Sequence, residues 1–396
     1  MASFELPSFI KSTIPVAPFT ASIPDSEIES FKTLVKLSKL PPAVYETQHR
    51  KYGVTAEWMR AAKTTFETTF DWRAVESKIN SYPQFVATID DFTVHFVGVF
   101  SPDPSAIPLV LLHGWPGSFY EFYPTIAELQ KLSQPFHIIV PSQIGYCFSS
   151  KPPVDKDFGT HDATAVVQKL MKGLGLDGYI AAGGDIGSFI ARALTNDEAC
   201  RGCHLNMYIQ PDQQQGVSES TPADEIAALE RSKLFGSHGR GYMIMHGTRP
   251  STISHVLASS PVALLAWLGE KFLAWTDTDP SMEDILEKVA LYWFTETFPS
   301  SIYPYREIVD RYEDQEWQKP LAIKKPMGFS WFPFELASVP ITWITEDTSA
   351  SGNCIWWKKH EKGGHFPSFE MPAEYAQDID MFVKKLKEVE AEKSKL

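Results

Sequence analysis

Gly183-Gly184-Asp185-Ile186-Gly187 follows the short apolar run 179–182 and opens a helix-like stretch over 186–194. Small residues flanking one acidic residue, between a strand and a helix, describe a tight turn that presents its central side chain. The usual form of the motif is Gly-x-Ser-x-Gly, and aspartate stands here in place of serine. A carboxylate in the first turn of a helix is stabilised by the free amides and the helix dipole. The plainer reading of Asp185 is an N-cap residue. The five residues alone do not choose between the two readings, so their surroundings must.

Outward from this turn, strand and helix patterns alternate. Apolar runs at 109–112, 136–140, 179–182 and 205–209 read as strands, with helices over 122–132, 161–174 and 186–194 between them. Short apolar strands separated by helices mark a parallel sheet covered on both faces. Strand patterning stops between 213 and 318, where helices are expected over 225–234, 252–257, 261–275 and 281–297. It returns at 327–332 and 354–358. A last helix over 375–389 places Tyr375, Ile379, Phe382 and Leu386 on one face. Upstream, 26–40 and 55–75 carry helical spacing, and 85–100 reads as a strand pair turning at Asp90-Asp91. The expected division is a helical lead segment ending in strands (1–100), a first core part (101–212), a helical cap (213–318) and a second core part (319–396). The cap would cover the carboxyl edge of the sheet, where open α/β sheets bind ligands.

Two further motifs sit at the ends of expected strands. His113-Gly114-Trp115-Pro116-Gly117 follows 109–112. In that place the loop supplies one oxyanion-hole amide and the residue after the nucleophile supplies the other, so Trp115 and Ile186 are the expected backbone donors. Gly363-Gly364-His365-Phe366 follows the last expected strand and completes an order of nucleophile, acid and histidine. The acid is open on pattern alone. Glu335 follows the strand at 327–332, and Glu346 and Asp347 follow a second strand candidate at 340–344. Asp185, Trp115 and His365 in these positions point to an α/β-hydrolase fold, with a mostly parallel sheet, helices on both faces and an inserted helical cap.

Bulk properties narrow the partners. A net charge of −13 over 396 residues argues against nucleic acid and anionic membrane surfaces, both of which demand a basic face. Cys200-Arg201-Gly202-Cys203 is a single C-x-x-C, short of the four ligands of a structural zinc site, so no metal is expected. Residues 1–15 lack a basic region followed by a long apolar stretch, and the most apolar run, 261–275, is broken by Glu270 and Lys271. An intracellular, soluble protein is expected. The final Ser394-Lys395-Leu396 matches a peroxisomal address, so the compartment reads as cytoplasmic or peroxisomal.

With these residues in hand, the chain resembles the epoxide hydrolases of the microsomal type, in a soluble fungal-like form without their membrane anchor. The likeness runs through Phe70-Asp71-Trp72, Asn80-Ser81-Tyr82-Pro83, His113-Gly114-Trp115-Pro116-Gly117-Ser118-Phe119 and Gly184-Asp185-Ile186-Gly187. It continues through Gly241-Tyr242-Met243, Tyr305-Arg306-Glu307, Gly328-Phe329-Ser330, Phe332-Pro333-Phe334-Glu335 and Gly363-Gly364-His365-Phe366. The resemblance implies Glu335 as the acid and two cap tyrosines, Tyr242 and Tyr305, as donors to the epoxide oxygen, with Tyr303 a nearby competitor. It also implies a small-molecule epoxide substrate, no cofactor or metal, and a homodimer. An aspartate nucleophile also occurs in haloalkane dehalogenases, which need side-chain N–H donors around the halide. An esterase would need serine at the turn, and a non-catalytic binding protein would not need the acid–histidine–nucleophile set.

Overall fold

The computed structural model describes residues 4–209, 217–310, 323–345 and 353–395. Its frame is one sheet built from β1 (Val16–Phe19), β2 (Gln84–Ile89), β3 (Phe92–Val99), β4 (Ile107–Leu112), β5 (Phe136–Pro141), β6 (Tyr179–Gly183), β7 (Cys200–Leu205), β8 (Met327–Trp331) and β9 (Cys354–Lys359). The spatial order is β1-β2-β3-β5-β4-β6-β7-β8-β9. Strands β4 to β9 run parallel, while β1, β2 and β3 pair antiparallel onto the β5 edge. From β4 the chain moves one way to β5 and then back across to β6. The loops after β4 and β6 therefore diverge and open a crevice at the carboxyl edge.

The middle strands are apolar because both faces are covered. Leu109, Val110, Leu111, Leu112, Ile180, Ala181 and Ala182 are fully buried. On one face the helix Pro372–Lys393 lays Tyr375, Ile379, Phe382 and Leu386 against the sheet, each at most 1% exposed. Burying side chains of this size is worth about 1.5–3 kcal/mol apiece, which makes this helix a principal clamp on β7, β8 and β9.

Several expectations need correction. Strand β7 is Cys200–Leu205, not 205–209. Its Arg201, Gly202 and His204 hide the strand pattern, and Gly202 is required where Pro326 O and the Phe382 ring press against the backbone. Cys200 and Cys203 lie on this strand as buried free cysteines. Residues 340–344 are not a strand: Ile341–Thr345 is one short helical turn. The helical span 55–75 is two helices, Ala56–Thr68 and Trp72–Ile79, broken at Asp71, whose side chain caps the second by accepting from the Arg73 amide. The lead segment also supplies an edge strand, β1, that its four residues and Pro18 conceal.

Between β7 and β8 every described element is helical, from Ala223–Leu234 to Tyr303–Asp310. Two of these helices, Gly241–Thr248 and Tyr303–Asp310, were not expected from sequence, and they carry Tyr242 and Tyr305. Among the described residues no single helix is long and apolar enough to cross a membrane.

Candidate active site

Asp185 stands at the end of β6, as the first residue of the helix Asp185–Leu194. Its φ is +47°, in the left-handed region that a non-glycine residue occupies only when the surroundings impose it. An N-cap aspartate needs no such backbone. The sharp turn holds the carboxylate out over the carboxyl edge of the sheet, where it is partly exposed, with 19% of its side chain accessible. Gly114 closes over it from the loop after β4, and any side chain at 114 would strike the Asp185 carboxylate.

The Trp115 amide donates to Asp185 Oδ1 at 2.8 Å. Ile186, the next residue, is the second of the helix; the first intrahelical bond runs from the Ser188 amide to Gly184 O. The Ile186 amide is thus one of those a helix start leaves without an intrahelical partner. Trp115 and Ile186 follow two neighbouring parallel strands, β4 and β6.

His365 faces the other oxygen. Its Nε2 lies 3.5 Å from Asp185 Oδ2, and its Nδ1 lies 2.8 Å from Glu335 Oε1. Glu335 comes from the loop after β8. Glu335 Oε1 also accepts from the Leu336 amide at 2.7 Å, and Glu335 Oε2 accepts from Asn206 Nδ2 at 3.4 Å. A parallel bridge between Phe334 and Gly364 ties the acid loop to the histidine loop. The rival acids Glu346 and Asp347 lie outside the described residues. Burial disfavours the imidazolium, but attraction by Glu335 and by Asp185 outweighs it and pushes His365 up to about 10. Between two carboxylates the imidazole thus favours its protonated form. Beside it, a cavity of about 20 Å³ is lined by Gly114, Glu121, Asp185, Asn206, His365 and Ser368. That is room for one water.

The tyrosines close the site from the cap. Tyr242 stacks on the Trp115 indole at 5.3 Å and 11°, and Tyr305 stands edge-on to it at 5.7 Å. The two phenol rings are 5.6 Å apart. Burial raises the pKa of both, and for each the Asp185 charge adds to the rise, so both keep their protons at neutral pH. Among the described residues the buried Tyr305 hydroxyl has no partner at hydrogen-bond geometry, although it is close enough to Tyr242 for the two to feel one another. Tyr303 points elsewhere, packing edge-on against Phe158 at 5.2 Å.

Some neighbours were invisible to the sequence reading. His246 accepts from Trp267 Nε1 at 3.0 Å, and burial drops its pKa to about 3, so it is neutral. The Lys271 ammonium lies 4.8 Å from the centre of the Tyr242 ring. Glu370 holds backbone amides on both sides of His365. Asn206 sits just past the misplaced strand. A polar residue ending a buried strand beside the nucleophile strand was the available signal for it. Among the described residues, no group of three or more His, Cys, Asp or Glu side chains is placed to hold a metal.

Two family descriptions match the chain, an epoxide hydrolase N-terminal region over residues 16–122 and an α/β-hydrolase fold over 107–229. Epoxide hydrolase 1 of Oryctolagus cuniculus is 30% identical over 407 residues, covering 93% of this chain and 88% of the rabbit protein. The Aspergillus niger epoxide hydrolase structure superposes with a TM-score of 0.88 at 44% identity, covering 96% of this chain and 99% of that one. The juvenile hormone epoxide hydrolase of Bombyx mori superposes with a TM-score of 0.87 at 24% identity, covering 96% of each chain, a likeness of fold. The chain thus belongs to the epoxide hydrolase family and carries it on an α/β-hydrolase fold.

Proposed function

We propose that this epoxide hydrolase works through an ester on Asp185. One observation carries the reading: a carboxylate in a left-handed backbone has one oxygen on the Trp115 amide and the other facing the His365 imidazole. Tyr242 and Tyr305 donate to the epoxide oxygen, and one of them gives up its proton as the ring opens. Asp185 attacks a ring carbon and forms an alkyl ester. That step removes the Asp185 charge, one of the two attractions that hold His365 protonated. The His365 pKa falls, its proton returns to the tyrosinate left by ring opening, and the neutral imidazole becomes a base still oriented by Glu335. It deprotonates a water in the adjoining cavity, which attacks the Asp185 carbonyl carbon. The Trp115 and Ile186 amides hold the developing oxyanion; as it collapses the ester bond breaks, the leaving alkoxide takes a proton from His365, and the product is a vicinal diol. Serine in this place would form an ether that water does not readily cleave, which accounts for aspartate.

The experiment is intact-protein mass spectrometry of His365→Gln after exposure to styrene oxide. The expected result is a long-lived adduct of substrate mass on the peptide containing Asp185. An unmodified variant that still turns over would contradict the reading. Family membership removes the ground for the dehalogenase, esterase and binding-protein alternatives.

Three coarser readings go with this one. The cap is taken as 213–318, between core parts 101–212 and 319–396, with 1–100 as the lead segment. A homodimer is the assembly the resemblance implies, to be checked by light scattering. Ser394-Lys395-Leu396, whose last residue lies outside the described residues, is read as a peroxisomal address. Diffuse fluorescence of a fusion with this free C-terminus, unchanged on deleting Leu396, would reject it.

A further inference from the structure

We propose that Glu370 is a positioning residue for the base, tying His365 to the end of the cap helix Pro261–Trp275; this rests on His365 acting as the base. Four consecutive amides in the histidine loop are each held. The Gly363 amide donates to Asp277 Oδ2 at 3.0 Å, and the Gly364 amide to Glu370 Oε2 at 3.1 Å. The His365 amide donates to Trp275 O at 2.9 Å, and the Phe366 amide to Glu370 Oε1 at 2.8 Å. Glu370 Oε2 also accepts from the Asp277 amide at 2.8 Å. One half-buried carboxylate therefore grips the backbone on both sides of the base and the backbone just past the cap helix.

The packing agrees with that role. Gly364 has no room for a side chain, because a Cβ there would meet Trp275 O, the Asp277 amide and Glu370 Oε2. The Trp275 ring stands edge-on to His365 at 5.3 Å, and the same ring lies 5.1 Å from Tyr242. The helix end that sets the base thus also touches a proton donor. Asp185 and its oxyanion donors lie just past β6 and β4, and none of these hydrogen bonds reaches them.

The two chemical steps separate accordingly. Alkylation uses Asp185 and the tyrosines, whereas hydrolysis needs His365 aligned on its water. Glutamine has one acceptor oxygen, and its NH2 would face amide donors, so Glu370→Gln releases at least one arm of the clamp. A misplacement of about 1 Å at a catalytic group costs roughly a hundredfold. In Glu370→Gln, hydrolysis should fall about tenfold to a hundredfold, with alkylation within about threefold.

The test is steady-state and single-turnover kinetics with styrene oxide on the full chain. Slower ester hydrolysis lowers kcat and KM together and leaves kcat/KM nearly unchanged. The ester should also accumulate in the steady state. A merely structural role would lower kcat and kcat/KM in parallel with KM fixed, and that result overturns the proposal. Kinetics within twofold of wild type overturn it as well. Asp277→Ala removes the Gly363 arm while keeping Glu370 itself, and serves if Glu370→Gln does not fold. It should show the same pattern, more weakly, and a parallel loss of kcat and kcat/KM in it counts equally against the proposal. His365→Gln is the control. If it accumulates no ester, the reading of the base has failed; if it does, the Glu370 result stands on its own.

Discussion

Tyr305→Phe should make the protein slower and no less stable. Tyr305 is 3% exposed, and among the described residues its hydroxyl has no partner at hydrogen-bond geometry. A buried polar group left unmatched costs about 1–3 kcal/mol. Phenylalanine keeps the ring and its edge-on contacts with Trp115 and His246, at 5.7 and 4.9 Å, and removes only the unmatched oxygen. The urea midpoint should therefore hold or rise. The same oxygen is spent on the reaction, where it would meet the alkoxide as the epoxide opens. Loss of one preorganised donor to a developing oxyanion costs about 2.7–4 kcal/mol, or roughly a hundredfold to a thousandfold in rate. Tyr242 remains as the second donor, so activity should fall without vanishing. The assays are kcat/KM for styrene oxide and urea unfolding of the same preparation. A variant that is clearly destabilised but keeps wild-type kcat/KM would refute the reasoning, because the hydroxyl would then be structural.

Three other outcomes are expected. Asp185→Ala should abolish diol formation in a gas-chromatographic assay while leaving the folded spectrum intact, since the side chain is only partly buried. Gly114→Ala should place a methyl against the Asp185 carboxylate and slow single-turnover alkylation by at least about tenfold, as displacement of a reacting group does. Unchanged alkylation there would mean that the loop yields. His365 also links stability to pH. Its folded pKa of about 10 exceeds the ordinary histidine value, so its contribution is fully present below about pH 6.5 and is lost as pH rises through 10. The difference in urea stability between wild type and His365→Gln should be largest at the acid end of that window and shrink toward its top.

The Asp185 turn, the Trp115 loop and the His365 loop were legible as motifs because each needs particular small residues at fixed offsets from an apolar strand. Glu335 was legible only through resemblance. Its contact with His365 depends on the loop after β8 folding back to bridge Gly364, a meeting of distant segments that no local pattern encodes. The tyrosine helices escaped notice for a different reason. Gly241–Thr248 and Tyr303–Asp310 are eight residues each, include Gly241, Gly247 and Pro304, and are rich in residues of modest helix propensity. In the first of them Ile244 is 55% exposed while His246 is fully buried, which inverts the usual apolar stripe. Strand β7 was displaced because Gly202 and His204 are buried there against β8 and the last helix, and half-buried Arg201 pairs with Glu390 of that helix, so polarity misled the reading. Glu370 is a carboxylate in a run of apolar residues, and its partners are backbone amides, which leave no trace in side-chain composition.

The most direct measurement is a single turnover of styrene oxide in heavy-oxygen water with enzyme in excess, followed by mass analysis of the peptide containing Asp185. The expected result is one heavy oxygen in the Asp185 carboxylate and a diol carrying only ordinary oxygen. Heavy oxygen in the diol, with none in that peptide, would mean that water attacks the epoxide itself, contradicting the two-step account.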